Sequence, residues 1–545
     1  MRAADALVRS LTAHGVQRVY CVPGESYLTL LDALHGSGIE VIVCRHEGGA
    51  GFMAVAEAKL TGRPTVCAVS RGPGATNAAI AVHVAEQDAV PVIFLVGQVS
   101  REERGRGAFQ EVDYTQFFGA MAKGVWEPAD GAKLVEVMAR AFRLAAEGQP
   151  GPVVISLLED MLGDVVDEVA ALVFPVARAH YSLDDLTRLQ AMIDRAERPL
   201  VIAGAALRGA KGAAALQRFA EGQRIPVACS WKNQDVFDNA SALYAGHLGF
   251  GNPPAHRKIL AEADLIIAVG TRLGDIGSLN YTLPRAGEPD QPVIHIYGDG
   301  KPIGKVSRTE LGLVADPVAV LQALGQDARV VSSAREAWIS RLSSFIAEFR
   351  AFTPVNPTDG VDFGTVVAAL ARHAPATAVI TTDAGNMSSW VHRHWTMTPA
   401  NTLLGAIAGA MGFGVPSAVA AAIVQPERTA ICFVGDGGVL MTGQEIATAM
   451  QYGAAPKIVL SDNGIYGTIR THQEREFPGR VSGTMLTNPD FTQWGESFGL
   501  RVFRLEMGGD VEAMVQAFLA EKGPALLHVR SSRQALSAFG QLKTA

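Results

Sequence analysis

Two glycine-rich polar turns in the last third of the chain have the composition of a site for a metal ion and a phosphate. Gly435, Asp436 and Gly437 follow the apolar residues 431–434, and Asn463 follows a second apolar run. Carboxylate and amide oxygens are suitable ligands for Mg²⁺, which keeps open positions for phosphate oxygens. The glycines let backbone N–H groups approach an anion closely. These residue types therefore predict a site for a diphosphate that is bound through a magnesium ion.

The spacing of the two turns indicates how the fold brings them together. The apolar residues 431–434 and 458–460 are separated by about two dozen residues, which is enough for two parallel strands joined by a crossover helix. Both strands of such a unit end at the same edge of the sheet, so Asp436 and Asn463 are expected to converge there. The alternative is that Gly-Asp-Gly is only a turn at the end of a strand, with the Asp as a capping residue. The complete pattern favours the ligand site.

Gly-Asp-Gly followed by Asp462-Asn463-Gly464 resembles the signature of thiamine diphosphate enzymes, with Asp462 at the position of an Asn. The resemblance implies that Asp436, Asn463 and the backbone carbonyl of Ile465 bind Mg²⁺. It also implies that the turn after the strand at residues 378–381 contacts the diphosphate. The cofactor-binding residues expected in these segments are Asn386, Met387, Gly435, Gly437, Gly438 and Tyr466.

A third glycine-rich segment, residues 405–414, has the sequence GAIAGAMGFG. Met411 within it would ordinarily be interpreted as core packing. However, GAMGFGVP resembles the family element in which a bulky apolar residue bends the cofactor into a V shape. The resemblance implies that Met411 is this residue and that Gly409 offers its carbonyl to the 4′-amino group of the cofactor.

Two turns at strand ends near the N-terminus contain the acidic residues Glu25 and Glu47. A Glu in the first turn of a helix is often present only because the helix dipole favours it. The sequences CRHEGGAGFMA around Glu47 and SRGPGATNAAIAV at residues 70–82 resemble the pyrimidine-binding domain of the acetolactate synthase, benzoylformate decarboxylase and pyruvate decarboxylase group. The resemblance implies that Glu47 exchanges a proton with N1′ of the aminopyrimidine and that Gly24 lies at the cofactor.

Resemblance to acetolactate synthases also predicts residues of the substrate pocket. Phe109 and Gln110, in the sequence GAFQEVD, and Lys123 correspond to synthase residues that face the active site, and Gln110 is expected to take part in catalysis. The alternative is that Phe109 packs in the core and Lys123 is solvated. His472 stands where synthases carry the Trp that selects the second keto acid.

Glu25 departs from the synthase pattern. Synthases usually have Gly at this position, whereas pyruvate and indolepyruvate decarboxylases have an Asp close to the reacting carbon. This resemblance implies that Glu25 relays a proton, and we expect it to lie in a pocket with apolar neighbours. The expected catalytic residues are therefore Glu47, Glu25 and Gln110.

Amphipathic helices alternate with short apolar strands along the chain, which predicts an α/β fold with three doubly wound Rossmann-like domains. We expect a pyrimidine-binding domain at residues 1–165, a central Rossmann-like domain at 186–330 and a diphosphate-binding domain at 358–535. Residues 166–185 are predicted to form a linker, and residues 333–352 a helical connection.

Composition narrows the choice of partners and compartment. The net charge is −7 and no basic run occurs, so neither nucleic acid nor a membrane surface is an expected partner. Five cysteines in apolar runs without CxxC spacing predict buried thiols. The N-terminus lacks the apolar core of a signal peptide, which predicts a cytoplasmic protein. Residues 405–424 are uncharged and long enough to span a membrane, but their glycines and Pro416 favour a buried loop and helix.

The resemblance implies thiamine diphosphate- and Mg²⁺-dependent C–C bond cleavage or formation on a 2-keto acid. CO₂ is lost, and the product is an aldehyde or a ligated hydroxyketone. Glu25 favours a decarboxylase with carboligase side activity. The alternatives are a lyase or hydrolase acting on a diketone or acyl-CoA, a flavin-linked oxidase, and a catalytically silent cofactor-binding subunit.

The same superfamily places Glu47 of one chain at the cofactor held by Asp436 of its partner, which implies a homodimer or homotetramer. Its members differ in a second cofactor, because the central domain of the resembling synthases holds either FAD or nothing. Residues 270–275 loosely resemble the synthase flavin segment, but Tyr297 stands where those proteins carry Asp. This departure argues against FAD.

Overall fold

Each of the three parts of the chain is built around a parallel six-stranded sheet, as a computed structural model of residues 1–168, 170–325 and 329–540 shows. The apolar runs form strands that helices cover on both faces, which is the setting of parallel sheets. The predicted α/β fold with three doubly wound domains is confirmed.

The first sheet has the strand order β2-β1-β3-β4-β6-β5. Its strands are β1 Arg18–Cys21, β2 Glu40–Val43, β3 Thr65–Val69, β4 Val92–Gln98, β5 Gly124–Trp126 and β6 Val153–Leu158. The helices are α1 Ala3–Ala13, α2 Leu28–Leu34, α3 Glu47–Thr61, α4 Pro73–Gln87, α5 Tyr114–Phe118 and α6 Leu134–Ala146.

The second sheet has the order β12-β11-β10-β7-β8-β9. Its strands are β7 Pro199–Ala203, β8 Val227–Ser230, β9 Tyr244–Leu248, β10 Leu265–Val269, β11 Val293–Tyr297 and β12 Leu311–Val314. The helices are α7 Leu183–Arg195, α8 Ala210–Gln223, α9 Pro254–Ala261 and α10 Pro317–Leu324, and α11 Ser333–Arg350 leads to the third sheet.

The third sheet has the order β14-β13-β15-β16-β18-β17. Its strands are β13 Val379–Thr382, β14 Thr402–Gly405, β15 Ala430–Gly435, β16 Lys457–Asp462, β17 Arg501–Leu505 and β18 Ala525–Arg530. The helices are α12 Phe363–His373, α13 Ser388–His394, α14 Gly414–Val424, α15 Asp436–Thr442, α16 Ile446–Gln451, α17 Gly467–Glu476, α18 Phe491–Ser497 and α19 Val511–Ala520.

The first and third sheets share one hydrophobic core, in which α3 packs against α14. The rings of Phe52 and Phe413 meet edge to face with their centroids 5.5 Å apart, a favoured aromatic geometry. Gly51 allows α3 to lie close to α4, because a Cβ there would come within 2.3 Å of the Ala81 methyl group. This packing fixes the first turn of α3, where Glu47 lies.

The uncharged residues 405–424 form the end of β14, a loop and α14, as predicted. No helix of the described residues is long and apolar enough to span a membrane. All five cysteines are buried and free, which confirms the prediction of buried thiols.

Candidate active site

The polar turns after β15 and β16 border one cavity at the carboxyl edge of the third sheet. The two strands are parallel neighbours, with Gly435 opposite Ser461. The cavity has a volume of about 250 Å³. The structure brings together there all the residues predicted for the metal ion, for the diphosphate, and for the bend and 4′-amino group of the cofactor, namely Asn386, Met387, Gly409, Met411, Gly435, Asp436, Gly437, Gly438, Asn463, Ile465 and Tyr466.

Asp436 is a buried carboxylate at the floor of this cavity. It accepts hydrogen bonds from the backbone N–H groups of Gly437 and Gly464 at 2.9 and 2.6 Å, and from Asn488 Nδ2 at 2.8 Å. Burial raises the pKa of Asp436 despite these donors, so a cation at the carboxylate would offset the cost of its buried charge. The donor set of carboxylate, Asn463 amide and Ile465 carbonyl oxygens fits Mg²⁺.

The glycines around the cavity leave its walls open to a ligand. Gly385 and Gly409 have φ angles of +141° and +71°, which side chains rarely tolerate. A Cβ on Gly409 would have no neighbour within 4 Å, and one on Gly435 would contact only Met387 Sδ, at 3.6 Å. Backbone groups at these positions are therefore accessible from the cavity, as a bound diphosphate requires.

Asp462 is part of an ionic cluster behind the metal-binding turn. Its carboxylate accepts from His528 Nε2 and Asn488 Nδ2, each at 2.9 Å, and pairs with Arg530. Burial opposes the charge, but these donors together lower the pKa of Asp462. The departure from Asn at this position is thus balanced by basic partners on β18.

Asn488 donates to both Asp436 and Asp462 through one amide nitrogen, so Asn488→Ala would leave two buried carboxylates without that donor between them. We expect the variant to bind Mg²⁺ roughly 10- to 100-fold more weakly, as is typical when a partner of a metal ligand is lost. Calorimetric titration with Mg²⁺ in the presence of thiamine diphosphate measures this. Asn252→Ala, which removes an internally bonded amide near β9, should leave the affinity unchanged. Equal affinities in the two variants would contradict the bridging role.

The loop that carries Gly409 and Met411 is held by buried charged side chains from the first and second parts of the chain. Lys59 Nζ, paired with Asp88, donates to the Gly405 carbonyl at 2.7 Å, and Asp88 accepts from Ile407 N at 2.7 Å. Lys232 Nζ donates to the Ala406 carbonyl at 3.0 Å. Burial lowers the pKa of Lys59 to about 8. The loop is therefore positioned by the first and second parts of the same chain.

Asp383 fixes the other end of this loop. Its buried carboxylate accepts from the N–H groups of Gly412, at 2.9 and 3.0 Å, and Gly414, at 3.3 Å. Burial raises its pKa to about 6. Sequence reasoning placed Asp383 in the diphosphate turn but missed its contact with the segment after Met411.

Glu47 begins α3 and lies half-buried, away from the cavity of its own chain. Asn77 Nδ2 donates to Glu47 Oε2 at 2.9 Å. The preceding backbone is held by buried Glu445, whose carboxylate accepts from the N–H groups of Arg45 and His46 at 3.0 and 2.9 Å. Asn77 and Glu445 were missed, because neither lies near Glu47 in sequence.

Glu25, Gln110 and Phe109 also belong to the first sheet's edge rather than to the cavity. The Glu25 side chain is 68% exposed and accepts from Arg71 at 2.9 Å, so the expected apolar surroundings are wrong for the single chain. Gln110 Oε1 accepts from Arg71 Nε at 3.3 Å. Phe109 is 74% exposed, which excludes a core position. Gly24 packs against Ser70, since a Cβ there would come within 2.5 Å of the Ser70 Cβ.

Lys123 and His472 are not brought together with the other predicted residues. Lys123 Nζ donates to the carbonyls of Glu147 and Gln149 at 2.6 and 2.7 Å, and burial lowers its pKa to about 8. It is therefore neither solvated nor at the cavity of the third sheet. His472 is exposed on α17 and accepts from Arg475 at 2.8 Å.

Lys123 lines a larger cavity of about 680 Å³ between the first and second sheets, at the position expected for a flavin. The residues there do not match that cofactor. Tyr297 is buried and offers no carboxylate. Arg272 is engaged by Glu86, at 3.6 Å, and by backbone carbonyls at the end of α4.

Three parallel sheets, the third with a glycine-lined cavity around a buried carboxylate at the carboxyl ends of its strands, define a class of α/β proteins that bind ligands at this edge of the sheet. Comparison with family models gives the particular family. The N-terminal TPP binding domain, the central domain and the C-terminal TPP binding domain of thiamine pyrophosphate enzymes match residues 1–117, 186–324 and 383–529. The chain belongs to the thiamine pyrophosphate enzyme family.

Curated relatives point to one branch of this family. The large subunit of acetolactate synthase isozyme 2 from Escherichia coli is 33% identical over 97% of this chain and 95% of its own length. The large subunit of isozyme 1 from the same organism is 32% identical over 97% and 93%. The acetolactate synthase large subunit of Lactococcus lactis is 30% identical over 92% and 88%. The resemblance to acetolactate synthases is thereby confirmed.

Proposed function

We propose that the chain is a Mg²⁺- and thiamine diphosphate-dependent enzyme that removes CO₂ from a 2-keto acid and transfers the remaining acyl unit to a second carbonyl compound. Release of the acyl unit as an aldehyde is the competing outcome. One observation carries the proposal: the cavity of the third sheet unites the residues expected around the metal ion and the diphosphate. The synthase relatives support the choice of carboligation as the main reaction.

When bound, thiamine diphosphate supplies the carbon that adds to the 2-keto group and holds the electron pair left as CO₂ departs. The residues of this chain bind and orient it. Asp436, Asn463 and the Ile465 carbonyl would hold Mg²⁺, and Met411 borders the same cavity. Glu47 supplies a carboxylate that gains or loses a proton, with Asn77 fixing one of its oxygens.

The geometry supports a site shared between two chains. Within the described residues, no part of the first sheet lines the cavity that contains Asp436. Its volume of about 250 Å³ is below the roughly 300–1,000 Å³ of typical small-molecule sites. Large apolar side chains are exposed on both surfaces that would meet in such a shared site. They are Leu440 and Met441 on α15, beside the third sheet, and Ile80 on α4, beside the first sheet. We therefore propose a homodimer or homotetramer in which the partner contributes Glu47.

Product analysis tests the proposed reaction. The protein, loaded with thiamine diphosphate and Mg²⁺, is incubated with pyruvate, 2-oxobutyrate and phenylpyruvate, and CO₂, aldehyde and hydroxyketone are measured. The proposal predicts CO₂ release with hydroxyketone as the larger product for at least one acid. CO₂-free turnover of a diketone or an acyl-CoA would contradict it.

The choice between the two products should depend on Glu25, which adds a titratable acid where synthases have Gly. We expect Glu25→Gly to increase the ratio of hydroxyketone to aldehyde, because an acid that donates protons favours aldehyde release and its bulk crowds a second substrate. Glu25→Gln is the matched control, since it keeps the bulk and removes the titratable proton. A product ratio that is the same in wild type and both variants would exclude Glu25 as the determinant.

A further inference from the structure

We infer that Arg71 is a positioning residue that fixes Glu25 and Gln110 and keeps Glu25 as a hydrogen-bond acceptor, which favours carboligation over proton donation. Arg71 is 9% exposed and follows β3. Its guanidinium contacts Glu25 Oε1 at 2.9 Å, Gln110 Oε1 at 3.3 Å and Glu159 Oε2 at 2.8 Å. The effect on the products rests on the proposed function, whereas the positioning does not.

Within the described residues, Arg71 is the one side chain that hydrogen-bonds both Glu25 and Gln110. In the part of the chain that the structure describes, the Glu25 carboxylate has the Arg71 guanidinium as its one hydrogen-bond partner. The contact thus determines where an otherwise exposed side chain points. Because Glu25 follows β1 and Gln110 lies in the loop after β4, one guanidinium sets the separation between two residues expected at the substrate.

Gln110, which Arg71 contacts, has an unusual backbone conformation. Gln110 has a φ of +64°, which costs free energy for a residue other than glycine unless its surroundings impose it. Gly72 lies against it so closely that a Cβ would come within 2.7 Å of the Gln110 carbonyl oxygen. Arg71 and Gly72 together therefore hold this residue from consecutive positions of one turn.

Two further contacts hold Arg71 in place. Glu159, which follows β6, pairs with one terminal nitrogen, and the Arg71 backbone N–H donates to Ser26 Oγ at 3.3 Å. A guanidinium presents five N–H donors in a planar fork, so it can engage three separate oxygens at once. A lysine ammonium at this position would lack that geometry.

The chemical consequence follows from the hydrogen-bond roles. A guanidinium has only donors, so the contacted Glu25 oxygen must accept and cannot carry a proton toward Arg71. While the pair persists, one of the two Glu25 oxygens is committed to accepting from Arg71, which leaves a single oxygen able to deliver a proton to the acyl unit. Loss of Arg71 should release Glu25 and increase aldehyde at the expense of hydroxyketone, which is the opposite of the change expected for Glu25→Gly.

The first test needs no substrate. Amide hydrogen–deuterium exchange of the full-length protein is compared for wild type, Arg71→Met and Arg18→Met. Arg18 is a matched control, because it is also largely buried and pairs with two carboxylates of the same part of the chain, Glu40 on β2 and Glu57 on α3. We expect the exchange rate of the amides in residues 24–28 and 105–112 to rise roughly tenfold in Arg71→Met and to stay unchanged in Arg18→Met. A rise of this size corresponds to the loss of a charge-assisted hydrogen bond. Unchanged exchange in both segments would overturn the positioning role.

The second test measures the ratio of aldehyde to hydroxyketone from the 2-keto acids above. We expect Arg71→Met to raise the ratio of aldehyde to hydroxyketone above that of the wild type. Arg71→Lys should give a ratio between those two. The double variant Arg71→Met/Glu25→Gly should give the same ratio as Glu25→Gly alone. Faster exchange with an unchanged ratio would overturn the catalytic consequence. If Arg71→Met fails to fold, Arg71→Lys decides both tests. If the wild type forms neither product, the proposed function has failed, and the exchange data alone decide the positioning role.

Discussion

Glu47→Gln is expected to reduce turnover by roughly 10²- to 10⁴-fold, the usual contribution of a group that transfers protons, while leaving the fold and cofactor affinity almost unchanged. The amide can occupy the same volume at the start of α3 and still accept the hydrogen bond that Asn77 donates at 2.9 Å. It cannot exchange a proton. The change therefore removes the chemistry and keeps the contact.

The measurement is hydrogen–deuterium exchange at C2 of bound thiamine diphosphate, followed by NMR, alongside kcat. Glu57→Gln is the matched control, because Glu57 lies on the same helix and its carboxylate bonds Tyr20 and Arg18 rather than facing a site. A Glu47→Gln protein with the wild-type exchange rate would show that Glu47 only caps α3.

Asp436→Ala is expected to abolish the Mg²⁺-dependent binding of thiamine diphosphate. Asp436 is the one carboxylate among the side chains lining the described cavity, and burial raises its pKa despite three hydrogen-bond donors. Without it, the remaining amide and carbonyl oxygens offer a divalent cation no negative charge. The diphosphate would then face the protein without its bridging ion.

Calorimetric titration with the cofactor, with Mg²⁺ and with EDTA, measures this loss. Asp462→Asn provides the control, because it removes an adjacent buried carboxylate that bonds His528, Arg530 and Asn488 instead of lining the cavity. We expect this variant to retain cofactor binding. Unchanged affinity in Asp436→Ala would remove the basis of the proposed metal site.

The local pattern was sufficient to predict most of the fold. β13 lies within one residue of the strand expected at residues 378–381, and β15 and β16 extend by one or two residues beyond the predicted apolar runs. The residues predicted around the metal ion and the diphosphate also line one cavity, because most of them lie in the segments that follow β13, β15 and β16. Parallel strands then necessarily bring those segments to one edge.

The residues that sequence reasoning missed act across long separations. Arg71 reaches Glu159, Asp383 reaches Gly412, and Asn488 bridges two strand ends through contacts that no local periodicity records. The same limit explains why the expected position of Lys123 differs from the observed one. Its motif predicted a place in the substrate pocket, but its ammonium group donates to backbone carbonyls in a different cavity. Contacts of this kind depend on the packing of complete domains.

The central proposal, an active site shared by two chains, is tested most directly by complementation. Glu47→Gln and Asp436→Ala chains are co-expressed in equal amounts, so that half of the dimers are mixed. Each mixed dimer then contains one site with both native residues if the site is shared, which predicts about one quarter of wild-type activity from two inactive parents, given random pairing in a twofold dimer. If Glu47 and Asp436 serve the same site within one chain, every site lacks one of them. The co-expressed protein would then be as inactive as its parents, and the shared site would be contradicted.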